Sequence, residues 1–309
     1  MNLIRNLDNL TDAFRGGAVA IGNFDGPHLG HARIIERLGA MADQVQGPAV
    51  AFTFDPPPSR VLRPEAAPAP LCWLERKAEL LCRLGADAVV AFPTTAEFLQ
   101  LEARQFFDQI VIERLKARAM VEGRNFFFGR NRSGNVEVLR QFCDEAGLRL
   151  EVVGAVEIDG QTVSSSRVRG LVAAGQVQEA HVLLGRPYRI RGTVVRGAGR
   201  GRSLGFPTAN LGGVDTLLPS EGIYAGRAVT EDAVWPAAIS LGPNPTFHEG
   251  ALKVEVYLIG YEGLLYDRPL AVDFLARLRE IRRFDSVDLL LAQMAQDVAV
   301  ARRVAEEGE

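Results

Sequence analysis

The stretch IGNFDGPHLGHARII at residues 21–35 has the pattern of a strand end, a glycine-rich turn and a helix start. His28 and His31 are three positions apart, a spacing that places both imidazoles on one face of a helix start. Backbone N–H groups and the helix dipole favour a phosphate there, and Gly30 leaves room for close approach. An isolated HxxH is usually an exposed helix cap. Here the setting, with two of the four histidines in one turn, favours a phosphate site.

Short β-rich runs alternate with helical runs around this turn. The runs are AVAIG at 18–22, AVAFTF at 49–54, DAVVAF at 87–92, AMVEG at 119–123 and LEVVG at 150–154. This alternation predicts an open α/β domain, in which a parallel sheet is covered by helices. Ligands of such sheets bind beyond the carboxyl ends of the strands, which here are the loops at 22–31, 54–60 and 123–134. The Pro-rich stretch 56–70 is predicted to be a mobile loop without a helix or central strand.

The sequence changes character near Arg186, so we predict one domain at 1–185 and a second at 186–309. Two short helices are expected around 168–174 and 177–184. The strand-like runs that follow are RIRGTVV, GIYAGRAVT, AAISLG, LKVEVYLIG and LAVDFLA. Gly and Pro turns separate them, which predicts an antiparallel barrel or sandwich. A closing helix is expected after Ser286, with an apolar stripe formed by Val287, Leu290, Leu291, Met294, Val298 and Ala301.

Composition limits the classes of protein that the chain can belong to. With 309 residues, 47% hydrophobic and 24% charged, it has the ordinary composition of globular domains. A net charge of −3 gives no attraction to polyanions, so nucleic acid is not an expected partner. Cys72, Cys82 and Cys143 match no disulfide or metal pattern and are predicted to be reduced. No run resembles a signal peptide or membrane span, so we expect a cytoplasmic protein with no membrane partner.

Two segments of the second half carry groups suited to phosphate chemistry. In GRGRSLGFPTANL at 199–211, glycines let backbone N–H groups approach phosphate, and Thr208 and Asn210 offer the oxygen ligands that Mg²⁺ accepts. In isolation, the PTAN motif would be a turn. In KVEVYL, Glu255 and Tyr257 lie on the face opposite Val254, a pattern that alone predicts a solvated strand face.

The extended motif GNFDGxHLGH resembles the adenylyltransferase module of the bacterial bifunctional riboflavin kinase/FMN adenylyltransferase family, a Rossmann-like HxGH nucleotidyltransferase. TFDPPP at 53–58, GRNFFFGRNRSGN at 123–135 and SSSRVR at 164–169 resemble further motifs of that module. The resemblance implies that ATP is bound by Gly22, Asn23, Phe24, Asp25, His28, His31, Ser164, Ser165 and Arg167. It implies that flavin is bound by Asp55, Asn125, Phe126 and Phe128.

The second half resembles the riboflavin kinase module of the same family, which implies a six-stranded antiparallel β-barrel with a terminal helix. By this resemblance Gly199, Gly201, Thr208 and Asn210 bind ATP, and Thr208 and Asn210 also hold Mg²⁺. Glu255 is implied to be the catalytic base, since its strand follows a segment, LGPNPTF at 241–247, similar to the family's GxxPT loop. LREIRRFDS at 278–286 resembles the segment that closes over the flavin, which makes Arg279 and Phe284 flavin contacts.

The resemblance covers residues 15–300 and implies two reactions, both with ATP as co-substrate and Mg²⁺ as cofactor. The second domain would phosphorylate riboflavin to FMN. The first would adenylylate FMN to FAD, with His28 and His31 as catalytic residues. Riboflavin, FMN and ATP are then the expected partners, and the chain is expected to be a monomer or weak homo-oligomer.

Four positions differ from the commonest form of the family. Pro57 replaces a histidine, Asn125 an aspartate, Ser166 a threonine and Ser240 an asparagine. Pro57 matters most, because it removes a donor near the phosphates and stiffens the loop. We expect adenylylation to be slowed or re-tuned at worst.

Three alternatives remain open at this point. The first is a nucleotidyltransferase with another acceptor, which would not need the second half. The second is a flavin-binding sensor without turnover, which the retained His28, His31, Thr208, Asn210 and Glu255 disfavour. The third is a riboflavin kinase with an inactive adenylyltransferase half, suggested only by Pro57.

Overall fold

A computed structural model describes residues 1–197, 199, 201, 204–244, 246 and 249–307, with the backbone alone at 244 and 249–251. Contacts divide the chain into two compact units. The first unit comprises Met1–Pro68 and Trp73–Ser165, and the second comprises Ala69–Cys72 and Ser166–Glu309. The functional boundary near Arg186 stays a prediction.

The first unit is built on a six-stranded, entirely parallel sheet. Its strands are β1 (Leu3–Ile4), β2 (Ala18–Ile21), β3 (Ala49–Asp55), β4 (Ala88–Pro93), β5 (Ala119–Gly123) and β6 (Arg149–Val153), in the order β1-β4-β3-β2-β5-β6. A separate hairpin follows, formed by β7 (Glu157–Ile158) and β8 (Gln161–Thr162). The five predicted strands of the open α/β domain are confirmed. The edge strand β1 was not predicted, because two residues are too few to form a periodic pattern.

Helices cover both faces of this sheet. They are α1 (Leu29–Val45), α2 (Pro58–Leu62), α3 (Leu74–Arg83), α4 (Ala103–Phe106), which continues as a π-helix (Phe107–Arg114), and α5 (Val136–Ala146). Short 3₁₀ turns occur at Leu7–Asn9, Asp12–Phe14, Pro64–Ala66, Phe98–Gln100 and Arg130–Arg132. One core combines small strand residues such as Ala20 and Ala51 with Leu38 of α1 and Leu81 of α3. The other face packs larger strand residues such as Phe52 against the helices that follow β4 and β5.

The Pro-rich stretch 56–70 corrects one expectation, because it contains α2 and the 3₁₀ turn Pro64–Ala66. Pro57 precedes α2, and Pro58 occupies its first position. Proline is tolerated there because the first N–H groups of a helix have no intrahelical partner. The prediction that excluded a helix was therefore wrong for this segment.

The second unit contains a closed, six-stranded antiparallel barrel, which confirms the implied fold. Its strands are β9 (Tyr188–Val195), β10 (Ala209–Gly212), β11 (Gly222–Val229), β12 (Val234–Asn244), β13 (Glu249–Leu258) and β14 (Pro269–Arg279), in the order β10-β13-β12-β11-β14-β9. Helices α6 (Ser165–Ala173) and α7 (Val177–Leu184) precede the barrel, and α8 (Val287–Glu307) closes the chain. The PTAN motif, a turn in isolation, here leads into β10.

Helix α8 packs on the outer face of the barrel, where Ala301 and Val298 contact Ala225 and neighbouring side chains. The predicted stripe is wrong at its first member: Val287 begins the helix and is 44% exposed. All three cysteines are free thiols, as predicted. Within the described part of the chain, we find no helix with the length and apolar character needed to span a membrane.

Candidate active sites

The first candidate site lies where the strand order of the parallel sheet reverses. The chain runs from β2 outward through β3 and β4, and then returns to place β5 on the other side of β2. Open α/β sheets bind ligands at the carboxyl ends of the strands beside such a point. The register pairs Ala18 of β2 with Ala119 of β5, and Val19 with Met120. Ile21, the last residue of β2, instead donates its N–H to a carboxyl oxygen of Glu122 at 2.7 Å. The GNFDGPHLGH turn follows directly.

The two histidines of this turn stack on each other. His28 is the N-cap of α1, His31 is the third residue after it, and their ring centroids are 3.8 Å apart with planes at 16°. The Nδ1 of each ring accepts the backbone N–H of the other residue at 3.4 Å. Because both Nδ1 atoms are acceptors, the proton of each neutral ring lies on Nε2. The pair therefore presents two Nε2–H donors at the positive end of α1.

The inside of the turn is filled by Phe24, which is 3% exposed and has a left-handed φ of 43°. Its ring contacts His31 edge to face at 5.3 Å. A side chain at Gly22 would meet that ring at 3.3 Å, and one at Gly30 would meet the His28 ring at 3.0 Å. The room that Gly30 provides is thus occupied by His28. Phe24 was predicted to bind ATP, and because its ring is buried, only its backbone is available to a bound nucleotide.

The beginning of the SSSRVR segment at 164–169 lies beside this turn within the first unit. A side chain on Gly30 would lie 3.5 Å from the Val163 carbonyl oxygen, so the backbone of that segment runs beside the turn. The Ser165 hydroxyl donates to the Asp25 carbonyl at 2.8 Å. Ser164 is half-buried just before α6. Arg167 belongs to the second unit, where it is half-buried.

The predicted flavin residues of the first unit lie at the same edge of the sheet. Asp55 ends β3 and Asn125 follows β5, and both are exposed. Phe128 is 6% exposed and packs in the core, with Phe126 stacked on it at 5.3 Å. Phe127 is instead 45% exposed, with the Arg132 guanidinium 4.2 Å from its ring centroid. The accessible aromatic ring of this loop is therefore Phe127, and not Phe126 or Phe128.

The second candidate site is a cavity of about 290 Å³ on the barrel. Cross-strand register places Asn210 of β10 opposite Glu255 of β13, and Glu255 opposite Ser240 of β12. Side chains directly opposite each other on antiparallel strands have Cβ atoms about 5 Å apart. These three residues and Thr208 line the cavity. The face of Glu255 that the pattern alone assigned to solvent is thus a cavity wall, while Val254 on the other face is 5% exposed.

Thr208 directly precedes β10, Asn210 is the second residue of β10, and both line the cavity. A hydroxyl, an amide oxygen and the Glu255 carboxylate form an oxygen donor set that suits Mg²⁺, which also keeps waters and substrate phosphates as ligands. A side chain at Gly197 would lie 2.4 Å from the Asn210 amide, so this position must be glycine for Asn210 to hold its place. Gly197 was not predicted from the sequence. Gly199 and Gly201 also line the cavity.

Arg279 is anchored at one end of this cavity. Its Nη2 lies 2.7 Å from Asp297 Oδ2, and its Nε donates to the same carboxylate at 3.1 Å. Asp297 is 8% exposed on α8 and also accepts from Gln293 at 2.9 Å. The Phe284 ring is 5.8 Å from the Arg279 guanidinium, and its N–H donates to Thr246 at 3.2 Å. The structure therefore brings both predicted flavin contacts to the cavity.

Parts of two predicted motifs lie outside the described residues. They are Arg200, Arg202 and Ser203 of the 199–211 segment, and Pro245 and Phe247 of the 241–247 segment. Of the departures from the family pattern, Pro57 caps α2, Asn125 and Ser166 are exposed, and Ser240 lies opposite Glu255.

Three buried charged residues at these sites escaped the sequence analysis, although each interrupts an apolar pattern. Glu122 lies in a buried strand and is 2% exposed. Lys77 lies on the buried face of α3, where Ala78 and Leu81 pack against the sheet. Asp297 lies on the α8 face that also buries Ala301. A charged residue within an otherwise apolar stripe is the sequence pattern that could have identified these three residues.

Comparison with known proteins identifies the chain. The FAD synthetase family model matches residues 11–167 and the riboflavin kinase model residues 184–305. A bifunctional riboflavin kinase/FMN adenylyltransferase of Pseudomonas fluorescens is 37% identical over 306 residues, which are 99% of this chain and 98% of that protein. The protein of the same name from Escherichia coli K12 is 32% identical over 304 residues, covering 98% of this chain and 97% of the relative.

A solved structure described as a macrolide-efflux protein from Streptococcus pneumoniae has a TM-score of 0.86 and 30% identity, and it covers 97% of this chain and 98% of that chain. The efflux function in that description is stated of that protein, and what the two chains share is the fold. Family models match both halves of the chain, and the relatives match it along nearly their whole length. The chain belongs to the family of bifunctional riboflavin kinases/FMN adenylyltransferases.

Proposed function

We propose that the chain makes FAD from riboflavin in two steps, with residues 1–185 adenylylating FMN and residues 186–309 phosphorylating riboflavin. Two arrangements of side chains, one in each half, support this proposal. The stacked histidines lie where the strand order of the sheet reverses. The barrel cavity is lined by Thr208, Asn210 and Glu255. ATP is the co-substrate of both steps.

In the first half, an oxygen of the FMN phosphate attacks the α-phosphorus of ATP. The bond from that phosphorus to the bridging oxygen breaks, and pyrophosphate leaves with the electron pair. Negative charge grows on the non-bridging oxygens, which the Nε2–H groups of His28 and His31 and the N-terminal N–H groups of α1 are suited to stabilise. Ser164, Ser165 and Arg167 add donors and charge for the triphosphate, and Gly22, Asn23 and Asp25 supply the turn around it.

In the second half, the terminal ribityl hydroxyl attacks the γ-phosphorus of ATP and ADP leaves. The Glu255 carboxylate takes the hydroxyl proton, a role for which it must lie within hydrogen-bond reach of that oxygen. Thr208 and Asn210 would hold Mg²⁺, whose contribution when bound is to neutralise charge on the phosphates. Arg279 and Phe284 form the end of the cavity that would hold the flavin ring. Gly199 and Gly201 let the backbone approach the nucleotide.

Two variants, one in each half, test whether each half carries one of the two activities. His28→Asn retains a good N-cap residue but loses the imidazole, so it should keep the stability of α1 while FAD formation from FMN falls at least about a hundredfold. Riboflavin phosphorylation by this variant should stay unchanged. Glu255→Gln should lower riboflavin phosphorylation and leave FAD formation from FMN unchanged. Loss of both activities in either folded variant would contradict two separate sites. The cytoplasmic location and the oligomeric state stay predictions.

A further inference from the structure

Lys77 is a buried lysine that the reaction as described does not use. It lies in the first turn of α3 and is 5% exposed. Within the part of the chain that the structure describes, it forms no ion pair, and its ammonium has one hydrogen bond, to the Thr53 hydroxyl at 3.4 Å. Lysine is almost never fully buried without a charged partner, because burying an unpaired ammonium is costly.

Thr53, the hydrogen-bond partner of Lys77, links it to the GNFDGPHLGH turn. Thr53 is fully buried near the carboxyl end of β3, and its hydroxyl donates to the carbonyl oxygen of Asn23 at 3.1 Å. Asn23 lies in the turn between β2 and α1, five residues before His28. A chain of two hydrogen bonds therefore runs from the Lys77 ammonium to the backbone of the turn.

Lys77 also lies on the correct side of the sheet to act on that turn. Along β3, Thr53 alternates with Phe52 and so shares a face with Ala49 and Ala51, which pack against α1 and α3. The histidine pair begins α1 on the same face and beyond the same edge. The ammonium is therefore a buried positive charge on the face of the sheet that carries this turn.

We propose that Lys77 is a positioning residue for adenylyl transfer, holding the Asn23 backbone through Thr53 and adding positive charge beneath the turn that binds ATP. This inference rests on the proposed function of the first half. It accounts for a buried ammonium that has no ion pair among the described residues: the anionic phosphates of ATP supply the opposite charge when they bind.

The test is steady-state kinetics of FMN adenylylation with variants of both residues. Lys77→Met removes the charge but keeps an unbranched apolar chain of similar length, and Thr53→Val removes the hydroxyl but keeps the shape. Thr53→Ser restores the hydroxyl. Arg83→Met is the matched control, since Arg83 is a cation at the exposed end of the same helix. Riboflavin phosphorylation and the melting temperature are measured on every sample.

We expect Lys77→Met to lower kcat/KM for ATP in FMN adenylylation about ten- to a hundredfold, the range for a charged hydrogen bond. Thr53→Val should lower it about tenfold and Thr53→Ser should recover it. The double variant Lys77→Met/Thr53→Val should be little worse than Lys77→Met, because both changes break one chain of contacts. Riboflavin phosphorylation and Arg83→Met should match the wild type.

The melting temperature separates a functional from a structural lysine. Because an uncompensated buried charge is costly, Lys77→Met should melt at the wild-type temperature or above it while adenylylation falls. A lower melting temperature with unchanged kcat/KM would make Lys77 a structural residue and overturn the proposal, as would unchanged kinetics in both Lys77→Met and Thr53→Val. If the wild type itself makes no FAD from FMN, the proposed function fails first.

Discussion

The Glu122 carboxyl is buried in the first unit, where one oxygen accepts the Ile21 N–H at the end of β2. Burial raises the pKa of Glu122 well above its ordinary value of 4.5, and the Ile21 hydrogen bond only partly opposes this. The neutral acid is therefore the form that the fold favours. A carboxyl of this kind stabilises the native state below its unfolded pKa and loses that contribution as the pH rises towards the folded value.

Replacing Glu122 with glutamine should flatten the pH dependence of stability. Above pH 4.5 the wild type should lose about 1.4 kcal/mol of unfolding free energy per pH unit relative to Glu122→Gln, until the folded pKa is reached. The amide keeps an acceptor for Ile21 without a proton to lose. Denaturant unfolding from pH 4 to pH 9 measures the difference. Parallel curves for the two proteins would contradict it, and the exposed Glu113→Gln serves as the control.

The cysteines offer a second prediction at the scale of single residues. Burial, reinforced by nearby Asp144 and Glu122, raises the pKa of the Cys143 thiol to about 12. Since the thiolate is the reactive form, Cys143 should stay unmodified in the native protein at pH 8. The half-buried Cys82 should react before it. Iodoacetamide labelling followed by mass spectrometry measures the order, and early modification of Cys143 in folded protein would contradict the assigned burial.

Among the elements, α8 contributes a buried carboxylate that contacts Arg279 at the barrel cavity. Its buried Asp297 holds Arg279 at the end of β14, and both side chains are no more than 20% exposed. Removing one partner of such a pair leaves the other charge uncompensated. The helix thereby fixes the orientation of a predicted flavin contact.

Asp297→Ala should therefore impair the kinase step specifically. We expect the KM for riboflavin to rise about tenfold and the second unit to lose about 1–3 kcal/mol of unfolding free energy, the cost of leaving a buried hydrogen-bonding group without its partner. Asp297→Asn, which keeps one acceptor oxygen, should lose less of both. The readout is initial rates of FMN formation together with FAD formation from FMN, which should not change. An unaltered riboflavin KM in Asp297→Ala would show that Arg279 does not need its partner.

Elements with a long periodic pattern could be predicted from the sequence, and short or irregular ones could not. The five longer parallel strands were found because their apolar runs alternate with helical ones. Helix α2 was missed because prolines hide a helix start, and β10 was missed because its four residues carry only one buried side chain. The closed barrel followed from the resemblance, since strand patterns alone allowed a sandwich as well.

The same contrast applies to the sites. His28, His31 and Glu255 lie in motifs whose spacing carries information, and the structure places them at a turn and a cavity wall. Lys77 and Asp297 come from distant segments, so only the fold brings them to their partners. Phe126 and Phe128 stay predictions as flavin contacts, because the motif that contains them does not reveal which ring of this irregular loop faces the core.

At the scale of the whole molecule, each half has its own site, and FMN is the product of one and the substrate of the other. Mixing His28→Asn with Glu255→Gln should therefore restore FAD formation from riboflavin, because FMN released by one protein can bind the other. Each variant alone should make FAD from riboflavin at no more than about a hundredth of the wild-type rate. Chromatography of the mixture over time measures the recovery. A mixture that stays inactive while each variant retains its own step would mean that FMN is not released.

The most direct test of the two-step account is a time course with the wild-type protein. Purified protein is incubated with ATP and magnesium and either riboflavin or FMN, and the flavins are separated by chromatography. We predict FMN and then FAD from riboflavin, and FAD from FMN alone. FMN that accumulates without any FAD would contradict the adenylyltransferase half, and unmodified riboflavin would contradict the kinase half.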